Sequence, residues 1–271
     1  MQIPDKLMER LRLLGLDQDI YTMRSRKCML SMDELGLEKV PWYGHAYYIE
    51  WGEGSLIFDP VSLVPCLALA PEKGDVILDM CAAPGTKTFI LSFLTGNKAN
   101  ITANDVSRNR VMRLTANMER HGVKCRVTNE SGRTIEGNFN KILVDAPCSG
   151  EGMINKKEKV FESWSEKRIR FLAKKQKKLV KHAFEILDTG GLLVYSTCTF
   201  APEENEGIID FLLNKFDNAV TEEININIKH APGITSWNCV KFKHDVKKCM
   251  RIYPHHNKTG GLFIAKITKT P

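Results

Sequence analysis

At 271 residues with 43% hydrophobic side chains, the chain can bury a full core as one large domain and needs no disulfide staple. No run is apolar for long enough to cross a bilayer. The N-terminal MQIPDKLMERLRLLGLDQDI is charged throughout, so no signal peptide is expected and the cytoplasm is the expected location. The net charge of +7, from 39 basic and 32 acidic side chains, favours a polyanionic partner only weakly.

In chain order, Asp5 to Leu14 has the spacing of a short amphipathic helix, and strand and turn texture begins near Gly44, as in YYIEWGEGSLIF. The expected organisation is a helical extension over 1–43 and one domain over 44–271, because no Gly/Ser/Pro-rich linker divides the chain. From Asp75 strands and helices alternate. VILDM (76–80), ITANDV (101–106), CRVTN, KILVDAP (141–147) and GLLVYSTC (191–198) read as strands. KTFILSFL, RNRVMRLTANMERHG, the run around KRIRFLAKKQKKLVKH and PEENEGIIDFLLNKF read as helices. Thr189-Gly190-Gly191 is the expected stop of the long basic helix. MRIYP and GLFIAKI form a plausible closing antiparallel pair. Such alternation predicts an α/β fold, a mostly parallel sheet with helices on both faces. Ligands in such folds sit beyond the carboxyl ends of the strands, where strand order reverses.

That rule selects a few residues. None of the eight cysteines (28, 66, 81, 125, 148, 198, 239 and 249) forms a C-x-x-C pair, and all are expected to be reduced. Asp79 to Thr88, Asp105, Asp145 to Gly152 and Ser196 to Thr199 fall just past strand ends, and Cys81, Cys148 and Cys198 are among them. In DMCAAPGTKT, the small residues Ala82, Ala83 and Gly85 let backbone N–H groups approach a ligand closely at a helix start. The loop is neither a G-x-G-x-x-G fingerprint nor a Walker A, which argues against NAD and ATP. Asp105 is placed to accept hydrogen bonds from ribose hydroxyls. DAPCSGEG supplies Asp145 and Cys148 within four residues, and STCT supplies Cys198. In the basic run, Ile169, Leu172, Gln176, Leu179, Val180 and Ala183 share a helical face and the lysines and arginines cover the rest. A solvated face and a phosphate-tracking surface both fit that pattern. Cys239, His244, Cys249, His255 and His256 cluster near the C-terminus in no zinc-finger spacing, and no metal is expected there.

Taken together, FDPVSLVP, VILDMCAAPGTKT, ANDVSRNRVMRL, ILVDAPCSGEG, GGLLVYSTCTFAPEENE and MRIYPHHNKTGGLFIAKI resemble the RNA cytosine-C5 methyltransferases of the Sun (Fmu) type, from about Gly44 to the C-terminus. The resemblance implies a Rossmann-like class I methyltransferase with a seven-stranded sheet. It implies Cys198 as covalent nucleophile, Cys148 assisting product release, and Asp145 and Lys87 close to the reacting centre. S-adenosylmethionine would be held by Cys81, Ala82, Ala83, Pro84, Gly85, Thr86, Lys87, Asp105, Arg110 and Asp145. Asp59 to Pro65 and Glu203 to Glu206 would support the site. Ser131 stands where an adenine-contacting aspartate is expected, and the position is left unassigned.

The chemistry is consistent with that set. Carbon 5 of cytosine is a poor nucleophile until a thiolate adds to carbon 6, and the carbon 5 proton must later leave so that the first sulfur can depart. With no evident room for an appended RNA-binding domain, the chain resembles the minimal archaeal members that modify transfer RNA, with ribosomal RNA next. No membrane and no obligate protein partner are implied. Two other readings stay open: a DNA cytosine-C5 methyltransferase with Cys148 as nucleophile, and a non-catalytic RNA-binding scaffold.

Overall fold

The computed structural model describes residues 3–50 and 56–271. The part of the YYIEWGEGSLIF reading that falls on residues 51–55 lies outside the described residues. A short helix α1 (Asp5–Leu13) leads into a three-stranded antiparallel sheet of β1 (Lys27–Leu30), β2 (Lys39–Val40) and β3 (Tyr43–Ile49), with β3 in the middle. The 1–43 segment expected to be helical therefore also carries two strands, and the expected boundary at 43/44 falls inside this sheet. Period-2 burial in β1 allows it: Cys28 and Leu30 face inward while Lys27 and Met29 are only half buried.

After α2 (Leu63–Leu69) the main sheet begins: β4 (Val76–Asp79), α3 (Thr86–Leu94), β5 (Asn100–Asn104), α4 (Arg108–Arg120), β6 (Cys125–Thr128) and β7 (Phe139–Asp145). Next come α5 (Lys157–Ser163), α6 (Glu166–Glu185), β8 (Leu187–Thr197), α7 (Glu206–Lys215), β9 (Ala219–Glu222) and β10 (Ala231–Pro232). The chain closes with a small hairpin of β11 (Ser236–Trp237) and β12 (Val240–Lys241), then β13 (Met250–Ile252), α8 (Pro254–Asn257) and β14 (Leu262–Lys269).

Seven strands lie in the order β6-β5-β4-β7-β8-β14-β9, and β14 alone runs against the others. Two more extend the sheet: β13 pairs along the remaining half of β14, and β10 pairs with β13. The MRIYP/GLFIAKI pair is thus the antiparallel β13–β14 ladder. The central strands are continuous apolar runs, as strands covered on both faces require: Ile142, Leu143 and Val144 are wholly buried, as are Leu193, Val194 and Tyr195. Strand order reverses at β4, whose neighbours are β5 and β7. The carboxyl ends of β4, β5, β7 and β8 therefore surround one crevice.

Helix α6 starts where Ser165 accepts the Arg168 N–H at 3.1 Å, a side-chain N-cap. It stops at Glu185, short of the expected Thr189-Gly190-Gly191. Those residues instead form an irregularity within β8: Phe139 pairs with Leu187, and the ladder resumes at Lys141 with Leu192. Gly190 has φ +79°, and a Cβ on Gly191 would lie 2.8 Å from Asp188 O and 3.0 Å from Asn140 O. The two glycines serve the strand, so local sequence suggested a stop that strand pairing used differently.

The N-terminal segment packs over one side of the crevice. Leu7, Leu11, Ile20 and Tyr21 form a core with Ile154, Val160, Phe161, Phe200 and Tyr253. Tyr21 OH donates to Glu151 O at 2.9 Å, and Arg10 makes a two-pronged pair with Glu203 at 3.1 and 2.6 Å.

Candidate active site

The loop after β7 and the end of β8 bring the two thiols together. Cys148 Sγ and Cys198 Sγ are 3.0 Å apart, both are free thiols, and the Cys198 N–H donates to Cys148 Sγ at 3.3 Å. Backbone pairing fixes this: Ala146 N–H donates to Ser196 O at 2.9 Å and Gly152 N–H to Cys198 O at 2.8 Å, so the loop is laced to β8 on both sides of the thiols. Cys148 is held well above the ordinary thiol range by its hydrogen bond with Cys198, by burial and by the negative potential of Glu204.

Asp145, the last residue of β7, accepts from Lys87 Nζ at 2.7 Å and from Ser196 Oγ at 2.7 Å. Burial pushes Lys87 down, but the Asp145 carboxylate outweighs it and holds the ammonium charged above its usual range. Cys198, Lys87 and Asp145 line one cavity of about 370 Å³, together with Thr86, Asp59, Ser62 and Asn155. Asp59 caps the turn ahead of α2 by accepting Val61 N–H at 3.1 Å, and it also accepts Gly260 N–H at 2.9 Å.

A second cavity, about 210 Å³, opens beyond β4 and β5. Cys81, Asp105 and Arg110 line it with Met80, Val106, Ser131, Gly132, Pro147, Lys175 and Leu179. Arg110 Nη1 lies 2.9 Å from Asp105 Oδ2, yet that buried oxygen has no aligned hydrogen-bond donor among the described residues, while Asp105 Oδ1 accepts Ser107 N–H at 3.0 Å. The orphaned oxygen at a strand end, beside apolar walls from Val106 and Leu179, suits a ribose hydroxyl and a flat base, so these residues fit an adenosyl group. Asp79 is a second buried carboxylate here. Thr88 Oγ1 donates to its Oδ2 at 2.7 Å, its Oδ1 has no partner among the described residues, and burial lifts it to about 7.

Of the residues expected around the cofactor, Ala82, Ala83, Pro84 and Gly85 line neither cavity. Ala82 and Ala83 pack against Leu114 and Met118, and Gly85, at φ +111°, makes the turn into α3. Arg110 donates to Ala83 O and Asn117 donates to Pro84 O at 2.8 Å, so this loop is tied to α4. Ser131 does line the second cavity. Among the described residues, no group of three or more His, Cys, Asp and Glu side chains is placed to hold a metal. Cys249 is buried in the core, Cys239 is exposed, and His255 and His256 pack around Tyr253.

The Glu203–Glu206 stretch divides its work. Glu203 holds Arg10, and Glu206 makes a wholly buried two-pronged pair with Arg251 at 2.6 and 2.5 Å. Glu204 accepts Ser149 N–H at 3.1 and 3.3 Å and Gln176 Nε2 at 2.8 Å. Sequence reasoning placed Asp79 and Ser196 among the strand-end candidates without giving them a role, and it missed Gln176 as part of the site. For Gln176 a signal existed, since a polar residue occupied the apolar stripe of a helix.

Residues 66–268 match the family model described as "16S rRNA methyltransferase RsmB/F". A tRNA (cytosine(49)-C(5))-methyltransferase of Pyrococcus abyssi is 38% identical over 254 residues, 88% of this chain and 81% of that protein. The crystal structure of NSun6 from Pyrococcus horikoshii with SFG is 34% identical at a TM-score of 0.70, covering 89% of this chain and 57% of that one. A methyltransferase homologue from Pyrococcus horikoshii is 26% identical at a TM-score of 0.79, covering 98% of this chain and all of that one. With the fold, the paired thiols and these likenesses together, the chain belongs to the RsmB/F family of S-adenosylmethionine-dependent RNA methyltransferases.

Proposed function

We propose that this chain methylates carbon 5 of a cytosine in transfer RNA through a transient covalent bond to Cys198. One observation carries the reading: two reduced thiols 3.0 Å apart, one of them lining a cavity with a Lys87–Asp145 pair. S-adenosylmethionine, when bound, supplies the electrophilic methyl group. Asp105 would accept from its ribose, while Met80, Val106 and Leu179 would enclose its base. A cytosine unstacked from the RNA enters the larger cavity. The Cys198 thiolate adds to carbon 6, which makes carbon 5 nucleophilic enough to take the methyl group. Asp145, oriented by Ser196 and sharing a proton with Lys87, donates a hydrogen bond to the ring edge as negative charge develops there. Cys148, beside the adduct, helps remove the carbon 5 proton, the carbon 5–carbon 6 double bond re-forms, and Cys198 leaves.

Cys198 lines the larger cavity and Cys148 is not among its lining residues, which favours Cys198 over Cys148 as nucleophile. Transfer RNA is preferred over ribosomal RNA because the chain spans 81% of the Pyrococcus abyssi tRNA enzyme, although the family description names 16S rRNA. A reaction that needs both thiols reduced suits the cytoplasm. The test is single replacement of each cysteine, assayed with labelled cofactor and unmodified total RNA, with bisulfite mapping of the product. Cys198→Ala should abolish both methylation and the denaturant-resistant protein–RNA adduct, and Cys148→Ala should slow turnover while the adduct accumulates. Adduct formation that survives Cys198→Ala and vanishes with Cys148→Ala would overturn the assignment.

A further inference from the structure

The backbone on the two sides of Cys148 is held by two linked side chains, one on each side. Gln176, from the middle of α6, donates through Nε2 to Pro147 O at 2.9 Å, and Glu204 accepts Ser149 N–H at 3.1 Å. The two are joined to each other by the 2.8 Å bond from Gln176 Nε2 to Glu204 Oε2, and Tyr195 OH donates to Glu204 O at 2.7 Å, anchoring the pair to β8. Both Gln176 and Glu204 are wholly buried.

Desolvating an amide and a carboxylate is costly, and Gln176 Oε1 has no hydrogen-bond partner among the described residues. An apolar residue would complete the helix stripe of Leu172, Ala173 and Val180 at lower cost. What the polar pair adds is direction: it fixes the peptide groups before and after Cys148, and with them the direction in which the thiol points. We propose that Gln176 and Glu204 are positioning residues that hold the Cys148 thiol in line for product release. The proposal rests on the reading that Cys148 assists release.

The experiment compares full-length Gln176→Leu, Gln176→Met and Cys148→Ala with the parent, using a pool of unmodified transfer-RNA transcripts and S-adenosylmethionine. Three quantities are read: turnover, the KM for S-adenosylmethionine, and the fraction of folded enzyme carried as denaturant-resistant RNA adduct. Misplacing a reacting group by about 1 Å costs on the order of 100-fold in rate. Turnover should therefore fall roughly 10- to 100-fold, the cofactor KM should stay within about twofold, and the adduct fraction should rise toward that of Cys148→Ala. A merely structural role would remove active enzyme without raising the adduct fraction of what remains. Should Gln176→Leu fail to fold, Gln176→Met decides alone: it keeps the length and flexibility of the side chain but can donate neither to Pro147 O nor to Glu204 Oε2. Folded variants with the parent's adduct fraction, beside a Cys148→Ala that accumulates adduct, overturn the positioning role alone. A Cys148→Ala that accumulates none overturns the release reading and this proposal with it.

Discussion

Glu204 is an acid buried without a cation, and its donors are a backbone amide and a side-chain amide. Burial is the largest influence on it and lifts it from an ordinary 4.5 to about 7. The native state therefore binds this proton more tightly than the unfolded chain. Its contribution to stability is complete below about pH 4.5 and is lost as pH rises through about 7. Glu204→Gln removes that titration. Urea unfolding across this window should show the parent losing stability relative to the variant by up to roughly 3 kcal/mol as pH rises. A difference that stays flat with pH would mean that the carboxyl is ionised throughout. At this scale the sequence was legible where a residue type announces chemistry, as the cysteines and Asp145 did. It marked Ser196 only as a strand-end residue and was silent on its bond to Asp145, which depends on which strand lies beside it.

Between elements, a tight constraint near the thiols is the passage of the Cys148 loop against the start of β14. Gly261 N–H donates to Gly152 O at 2.9 Å, and a Cβ on Gly152 would lie 2.8 Å from both Gly261 Cα and Gly261 O. Because the obstacle is backbone, no side chain can yield. Gly152→Ala should cost about 1–3 kcal/mol of overpacking, a drop of roughly 2–12 °C in Tm by scanning calorimetry. Methylation should fall further than stability does, because the same shift moves Gly152 N–H off Cys198 O. An unchanged Tm with full activity would show that the two loops can part freely. The end of α6 teaches the same lesson from the sequence side. Thr189-Gly190-Gly191 has the composition of a helix stop, but Leu187 is already paired with Phe139, so the ladder with β7 claims the segment first.

Over the whole molecule, the excess of positive charge is concentrated on α6, where Lys174, Lys175 and Lys178 are exposed and Lys175 also lines the smaller cavity. Helix α6 lies against the loop that carries Cys148, so RNA reaching the thiols would pass close to this face. If the helix contacts phosphates, Lys174→Gln with Lys178→Gln should weaken binding and lower the slope of log K against log salt by about 1.4–1.8, with S-adenosylmethionine affinity unchanged. An unaltered slope in filter-binding titrations would assign these lysines to a solvated face.

The sequence by itself determined the α/β alternation and marked the strand ends that hold the candidate residues Asp105, Asp145, Cys148 and Cys198, because periodicity and strand-end loops are local properties of the chain. Tertiary structure alone decided that the two sulfurs meet at 3.0 Å, that Asp145 is held between Lys87 and Ser196, and that a glutamine from the middle of a helix braces the second thiol. The physical reason is separation along the chain. The thiols lie 50 residues apart and Lys87 lies 58 residues from Asp145, and only the packing of β4, β7 and β8 into one sheet sets those distances.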